Sequence, residues 1–177
     1  RSLLKAVGVD AYYAIIYGDT NPRDIREDYV SMQGNHAVLA IPSNEGLVWL
    51  ECTSQVTPFG FQGDFTDNRM ALIIKPDGGE IVKTHVYDTK GNSQISKGAY
   101  IISDSGSISG NVVIASKGIQ YDNVFFLDSK SAEDRDKYYK SHLNNINNLK
   151  IKKAALKNNK DSQEFIEDLM IEAENYL

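Results

Sequence analysis

A pair of short apolar runs, separated by a turn that contains glycine, constrains the fold of this chain more than any other feature. The runs span residues 35–42 and 47–53, with the turn at 43–46 between them. Two apolar runs flanking a turn of this kind predict a β-hairpin. We expect Pro42 to lie opposite Leu47, and this pairing fixes the register of the other residues.

The expected register brings a histidine and a carboxylate onto one face of the hairpin. Val38 lies opposite Glu51, and His36 lies opposite Thr53. His36 and Glu51 are then diagonal neighbours about 7–8 Å apart at the backbone, within side-chain reach. A carboxylate that accepts from one imidazole nitrogen leaves the other free to act as a base. His36 and Glu51 are therefore the candidate catalytic residues, two thirds of a triad.

The single cysteine of the chain, Cys52, is predicted to be a small buried core residue. Neighbouring residues on a strand point to opposite faces, so Cys52 cannot share the face of Glu51. This argues against the alternative, a dyad of Cys52 with His36. The face of Cys52 is wholly apolar and is expected to face the core; its other members are Ala37, Leu39, Ile41, Val48 and Leu50.

These residues resemble the second half of a transglutaminase-like domain, a superfamily of papain-related Cys-His-Asp enzymes. In that pattern a His opens one strand, and an acid follows a Trp on the next. His36, Trp49 and Glu51 match these positions, with Glu in place of the usual Asp. The run 53–67 is similar to a subset of large, exported bacterial members of the superfamily.

The resemblance implies an α+β fold in two domains. Residues 1–90 would form the C-terminal part of a transglutaminase-like domain with an antiparallel sheet. Residues 91–177 would form a mainly β, sandwich-like domain with one helix near 131–146, truncated at its C-terminus. The nucleophilic Cys of the family sits at the start of a helix that ends in a segment like 3–10. We therefore expect a fragment whose Cys lies in a missing N-terminal part, and which is inactive alone.

The resemblance also implies a cysteine peptidase or an acyltransferase. The Cys thiolate attacks an amide carbonyl, and water or an amine resolves the thioester. His36 would shuttle the proton, while Glu51 would orient the ring and stabilise the imidazolium. The expected partner is a protein or peptide substrate at a periplasmic or cell-surface location, with no cofactor. The alternatives are a non-catalytic scaffold of the same fold and a cell-surface module that binds a glycan or peptide.

Composition and isolated polar residues mainly exclude classes of function and kinds of site. A net charge of −5 gives no reason to expect nucleic acid, and no apolar run approaches the roughly 20 residues of a membrane-spanning helix. Asp64 and Asp67 fall short of a calcium motif, so no metal site is expected. Asn35 either holds the His36 loop or bonds its own backbone. His85 and His142 are interpreted as structural.

Turn residues and apolar spacing predict the remaining elements. They are a helix over 1–7 stopped by Gly8, a strand over 11–17, hairpins over 69–87 and 99–115, a helix over 131–146, and a lysine-rich edge strand over 150–160. The last segment, 164–177, fits helical spacing, whereas the resemblance suggests a strand through 170–175. We expect the strand, with its final edge unpaired.

Overall fold

The computed structural model describes residues 1–176. These residues form two compact units that meet between Asp88 and Thr89 in the sequence. Each unit contains one antiparallel sheet, and helices are few. The chain is therefore mostly β, which is compatible with the expected α+β class.

The first unit is a five-stranded sheet with strand order β3-β2-β1-β4-β5. Its elements are α1 (Ser2–Ala6), β1 (Tyr12–Ile16), β2 (His36–Ser43), β3 (Gly46–Leu50), β4 (Met70–Lys75) and β5 (Gly78–Lys83). Both hairpins predicted for this unit are confirmed, and Pro42 lies opposite Leu47 as expected. The first helix ends where Gly8 takes a φ of +77°, a conformation that glycine adopts without steric cost.

The hydrophobic cluster of the first unit lies on the face of the sheet opposite to the expected one. Val38 and Ala40 of β2 point into it, on the same side as His36, and Trp49 pairs with Ala40. The full cluster is Ala14, Ile16, Val38, Ala40, Trp49, Ala71 and Ile73. Both alternating sets of β2 are apolar, so alternation alone could not choose the face. On this face the bulky Trp49 packs with small alanines, and burial of the larger apolar area stabilises the fold more.

The prediction that Cys52 is buried is wrong, and Ala37 on the same expected face is exposed as well, whereas Leu39 and Ile41 of that face are buried. Strand β3 ends at Leu50, so the two-residue alternation does not extend to Cys52. The parity argument therefore placed Cys52 correctly off the face of Glu51 but wrongly in the core.

The second unit is a four-stranded sheet with strand order β6-β7-β9-β8. Its elements are β6 (Gln94–Ile102), β7 (Ile108–Lys117), α2 (Ile119–Asp122), a 3-10 helix (Phe125–Ser129), α3 (Ala132–His142), β8 (Leu149–Asn159) and β9 (Glu164–Ala173). Within residues 89–176 there is one sheet rather than the expected sandwich of two, and α2, the 3-10 helix and α3 pack on its strands.

The last strand differs from its expected place in the sheet. Strand β9 is a strand, as expected, but it lies between β7 and β8, so its edges are paired. Its odd-numbered residues, from Phe165 to Ala173, are buried, whereas its even-numbered residues are not. That period of two is incompatible with a helix. The free edges of the described sheet are β6 and β8.

Helix α3 is shorter than predicted. It begins after Ser131, whose hydroxyl accepts from the Asp134 amide, and it ends at His142 rather than at residue 146. An asparagine-rich stretch follows, in which Asn148 has a φ of +56°. Asparagine favours turns over helix interiors because its side chain competes for backbone hydrogen bonds.

Candidate functional site

The candidate site lies where strands β1 and β2 meet the segment after β3. His36 is the first residue of β2 and lies opposite Ile16, the last residue of β1. Glu51 directly follows β3. Extending the β2–β3 pairing by one step therefore leaves Glu51 close to His36.

His36 and Glu51 form the contact that the sequence predicts. The imidazole Nε2 lies 2.6 Å from Glu51 Oε2. The second carboxylate oxygen, Oε1, accepts from the Thr53 amide at 2.8 Å and from its hydroxyl at 2.6 Å. The His36 and Glu51 side chains are only 14% and 13% exposed. Both oxygens of Glu51 are thus occupied, and the carboxylate has little freedom to turn.

These contacts decide the charge of Glu51 and with it the role of each imidazole nitrogen. Partial burial opposes ionisation, but the hydrogen bonds from Thr53 and His36 outweigh it and lower the pKa of the Glu51 carboxyl. An ionised carboxylate only accepts, so Nε2 of His36 must donate to it. The lone pair of the neutral ring is then on Nδ1, which has no hydrogen-bond partner among residues 1–176.

An aromatic side chain closes one side of His36. Phe65 meets the imidazole edge to face, with ring centroids 5.1 Å apart. The same ring lies so close to Gly18 that a Cβ on this residue would be 2.5 Å from it and 3.1 Å from the His36 Cβ. Gly18 therefore has to be glycine for Phe65 to reach the imidazole.

Asn35 fixes the backbone that precedes His36. Its side chain accepts from the Gly18 amide at 2.7 Å and donates to the Gly18 carbonyl at 3.0 Å, and its own amide donates to Ile16. The alternative in which Asn35 bonds its own backbone is therefore wrong. The adjacent Gly34 provides a close approach, because a Cβ there would lie 2.8 Å from the Ile16 carbonyl oxygen.

A buried arginine ties together the segments that surround the histidine. Arg69 is completely buried. Its guanidinium donates to the carbonyls of Tyr17 and Asp19 on one side, and to those of Asp64 and Asp67 on the other. A fixed fork of five donors is suited to such a junction. Phe65 belongs to the second segment, so Arg69 holds it against His36.

The sequence pattern does not indicate the roles of Arg69, Phe65, Gly18 and Thr53. The pattern indicates Arg69 only as the start of a strand, although an arginine directly before the apolar β4 is a signal for a buried cation. Nothing in the spacing of Phe65 or Gly18 relates either residue to His36, because both contacts are long-range.

The other candidate polar residues lie outside this arrangement. Asp67 Oδ1 is 3.8 Å from the Arg69 guanidinium. In the described residues no three His, Cys, Asp or Glu side chains are grouped to hold a metal ion. The His85 amide donates to Gln62, and His142 stacks on Tyr138 in the second unit. The exposed thiol of Cys52 points to the Leu50 carbonyl at 3.7 Å, and no contact joins it to His36 within residues 1–176.

No protein-family model, curated protein or solved structure matches this chain. Within residues 1–176, no helix combines the length and the apolar character needed to cross a membrane.

Proposed function

We propose that the first unit supplies the general acid–base half of a cysteine-dependent enzyme acting on amide or peptide bonds, of the transglutaminase-like kind. The observation that carries the proposal is the 2.6 Å contact between His36 Nε2 and Glu51 Oε2, with Glu51 held by Thr53. The arrangement directs the only lone pair of the neutral imidazole to Nδ1, where a nucleophile's proton would be accepted.

In the proposed reaction, His36 accepts the thiol proton of a cysteine at Nδ1, and the resulting thiolate attacks the amide carbonyl. The protonated ring then gives that proton to the leaving amine, and a thioester remains. Water attacks the thioester, His36 accepts its proton, and the acid product and free thiol are released. An amine in place of water would give transfer. Glu51 stays ionised throughout and keeps the ring oriented.

The nucleophile is the part of the proposal that depends on the resemblance. The family pattern puts it in a segment that would precede Arg1, and the Cys52 thiol points to the Leu50 carbonyl rather than to His36. The proposal therefore requires a cysteine at a helix start in the sequence encoded ahead of Arg1. The family's exported members also suggest a periplasmic or cell-surface location.

The test uses a chain extended through that segment and a thiol-directed, activity-dependent probe. We expect labelling of the upstream cysteine, loss of labelling in His36→Ala, and a strong decrease in Glu51→Ala. Cys52→Ser is the matched control, because it changes the neighbour of Glu51 without touching His36; its labelling should equal that of the parent. Absence of an upstream cysteine, or labelling that survives His36→Ala, would contradict the proposal.

A non-catalytic scaffold is the second candidate, and one observation favours it. The bond between His36 and Glu51 joins the start of β2 to the segment after β3, so it also serves as a structural clasp between the two strand ends. A scaffold predicts that His36→Gln costs stability but changes no labelling rate. The enzyme predicts the loss of labelling even in variants that remain folded.

A further inference from the structure

The chain segment between β1 and β2 forms a pocket that the proposed chemistry does not use. The pocket has a volume of about 360 Å³. Its charged walls are Arg23 and Arg26, and the aromatic rings of Tyr17 and Tyr29 lie beside them. No carboxylate lines it, although the whole chain has a net charge of −5.

The pocket is built by side chains that fix the surrounding backbone. The Gln33 side chain accepts from the Arg26 amide at 3.0 Å and donates to the carbonyls of Arg26 and Tyr29. Ile25 is buried, and Asp24 accepts from the Met70 amide. Hydrogen bonds and a buried side chain therefore hold both halves of the segment in place, as in many compact functional loops.

The two arginines differ in what already neutralises them. Arg26 makes a two-bonded pair with Asp28, at 3.0 and 2.7 Å. Arg23 lies 5.4 Å above the ring of Tyr17 and has no carboxylate partner in the described part of the chain. A guanidinium stacked on an aromatic ring keeps its donor edge free for a planar oxyanion.

The pocket flanks the imidazole without covering it. Gly34, in the pocket wall, packs on Ile15: a Cβ there would lie 2.4 Å from the Ile15 Cγ2. The same Cβ would lie 2.8 Å from the carbonyl oxygen of Ile16, the residue that pairs with His36. The lining of the pocket therefore reaches Asn35, the residue before His36, but does not include the imidazole itself.

We propose that this pocket binds the carboxylate side chain of an acidic peptide, with Arg23 as the main anion contact. Charge complementarity selects the carboxylate. The exposed Tyr29, Val30 and Met32 on the same segment provide apolar contact area for the residues that flank it, and Tyr, Met and Arg are typical of protein interfaces. The choice of a peptide rests on the amide-bond function proposed above, whereas the anion preference does not.

The experiment measures the binding of two blocked pentapeptides to the 177-residue chain by calorimetry at low salt. One peptide has a central Glu between leucines, and the other has Gln at that position. We expect the Glu peptide to bind at least about tenfold more tightly. Arg23→Gln should remove this preference and Arg23→Lys should restore part of it, because Lys keeps the charge but lacks the fork.

Lys97→Gln is the matched control, since Lys97 is exposed in the second unit and its loss changes the net charge by the same one unit. It should bind the Glu peptide as the parent does. Equal affinity for both peptides, or an equal loss in Lys97→Gln and Arg23→Gln, would overturn the proposal. Binding of free acetate with no preference between the peptides would overturn it as well.

His36→Ala separates this inference from the proposed function. Peptide binding to His36→Ala should equal binding to the parent, because the pocket does not include the imidazole. If labelling experiments exclude an enzyme but the Glu preference and its dependence on Arg23 persist, only the proposed chemistry fails. If the preference is absent while labelling depends on His36, only the pocket assignment fails.

Discussion

Each unit contains a glutamate with little exposure to solvent: Glu51 is half-buried and Glu167 is buried. The surroundings shift the pKa values of these two carboxyls in opposite directions. Glu51 in the first unit receives hydrogen bonds from Thr53 and His36, which lower the pKa of its carboxyl despite partial burial. Glu167 in the second unit is 2% exposed, and burial raises the pKa of its carboxyl, although Tyr139 and His142 favour the ionised form.

The two carboxyls differ both in burial and in donors. Glu167 is the more deeply buried, and burial is the main cause of its raised pKa, whereas Glu51 receives hydrogen bonds from Thr53 and His36. Glu167 lies opposite Ile114 and Leu156 on the neighbouring strands. The Tyr139 hydroxyl favours the ionised form of Glu167, but this does not offset the effect of burial. Burial therefore shifts the balance of the Glu167 carboxyl towards its neutral form. The contacts in the first unit thus favour an ionised carboxylate next to a histidine, whereas burial in the second unit favours the neutral form of the acid.

The largest expected effect is at Arg69, the centre of the buried polar network in the first unit. Arg69→Met should lower the free energy of unfolding by about 3–5 kcal/mol, because it leaves several buried carbonyls without donors. Trp49, the only tryptophan, is buried in this unit, and its fluorescence reports the transition in urea.

Arg135→Met is the matched control in the second unit. Arg135 donates to two carbonyls, of Leu127 and Asp128, and is only partly buried. Its replacement should cost about 1 kcal/mol. An equal cost for both variants would show that Arg69 is an ordinary surface-type contact and not the junction described above.

A second prediction concerns the anion itself. Glu51→Ala should cost about 2 kcal/mol, since the Thr53 amide and His36 Nε2 lose their acceptor, whereas Glu51→Gln keeps part of the geometry and should cost less. Denaturation followed by Trp49 fluorescence measures both.

The pH dependence of this cost has a definite sign. The folded pKa of Glu51 is lowered, so its stabilisation is present above the unfolded value of about 4.3 and is lost as pH falls through the folded value. The parent should therefore lose its advantage over Glu51→Gln on acidification below pH 4. A difference that is independent of pH would contradict an ionised Glu51.

Glu167 gives the opposite prediction, with a smaller effect. Its folded pKa is raised, so its contribution is fully present below the unfolded pKa and is lost as pH rises through the folded value. Glu167→Gln stays neutral at every pH and should stabilise the chain at pH 7 by on the order of 1 kcal/mol. The gain should shrink towards pH 4. Thermal unfolding at both pH values measures it, and a destabilised variant at pH 7 would contradict a neutral buried acid.

The smallest expected effect is at Cys52. Because the thiol is exposed, Cys52→Ser should change stability by less than about 0.5 kcal/mol. Rapid reaction of the folded chain with a thiol reagent gives an independent measurement. A thiol that reacts only after unfolding would support the buried position that the strand alternation predicts.

The sequence predicts local pairing well in this chain and long-range packing poorly. The hairpin around 43–46, its register and the His36–Glu51 contact follow from alternation and turn residues alone. Which face of β2 carries the main hydrophobic cluster depends on Trp49 and on alanines of β1 and β4, and alternation carries no such information. The junction at Arg69 joins carbonyls about 50 residues away along the chain and has no local signature.

The central claim is that Glu51 fixes the tautomer of His36, and nitrogen NMR of the imidazole rings tests it most directly. His142 is an internal reference, since its Nδ1 lies 2.9 Å from the Tyr138 carbonyl, which can only accept. When both rings are neutral, we expect His142 to be protonated at Nδ1 and His36 at Nε2, with a bare Nδ1 available as a base. Protonation of neutral His36 at Nδ1, or a His36 spectrum unchanged in Glu51→Ala, would contradict the account.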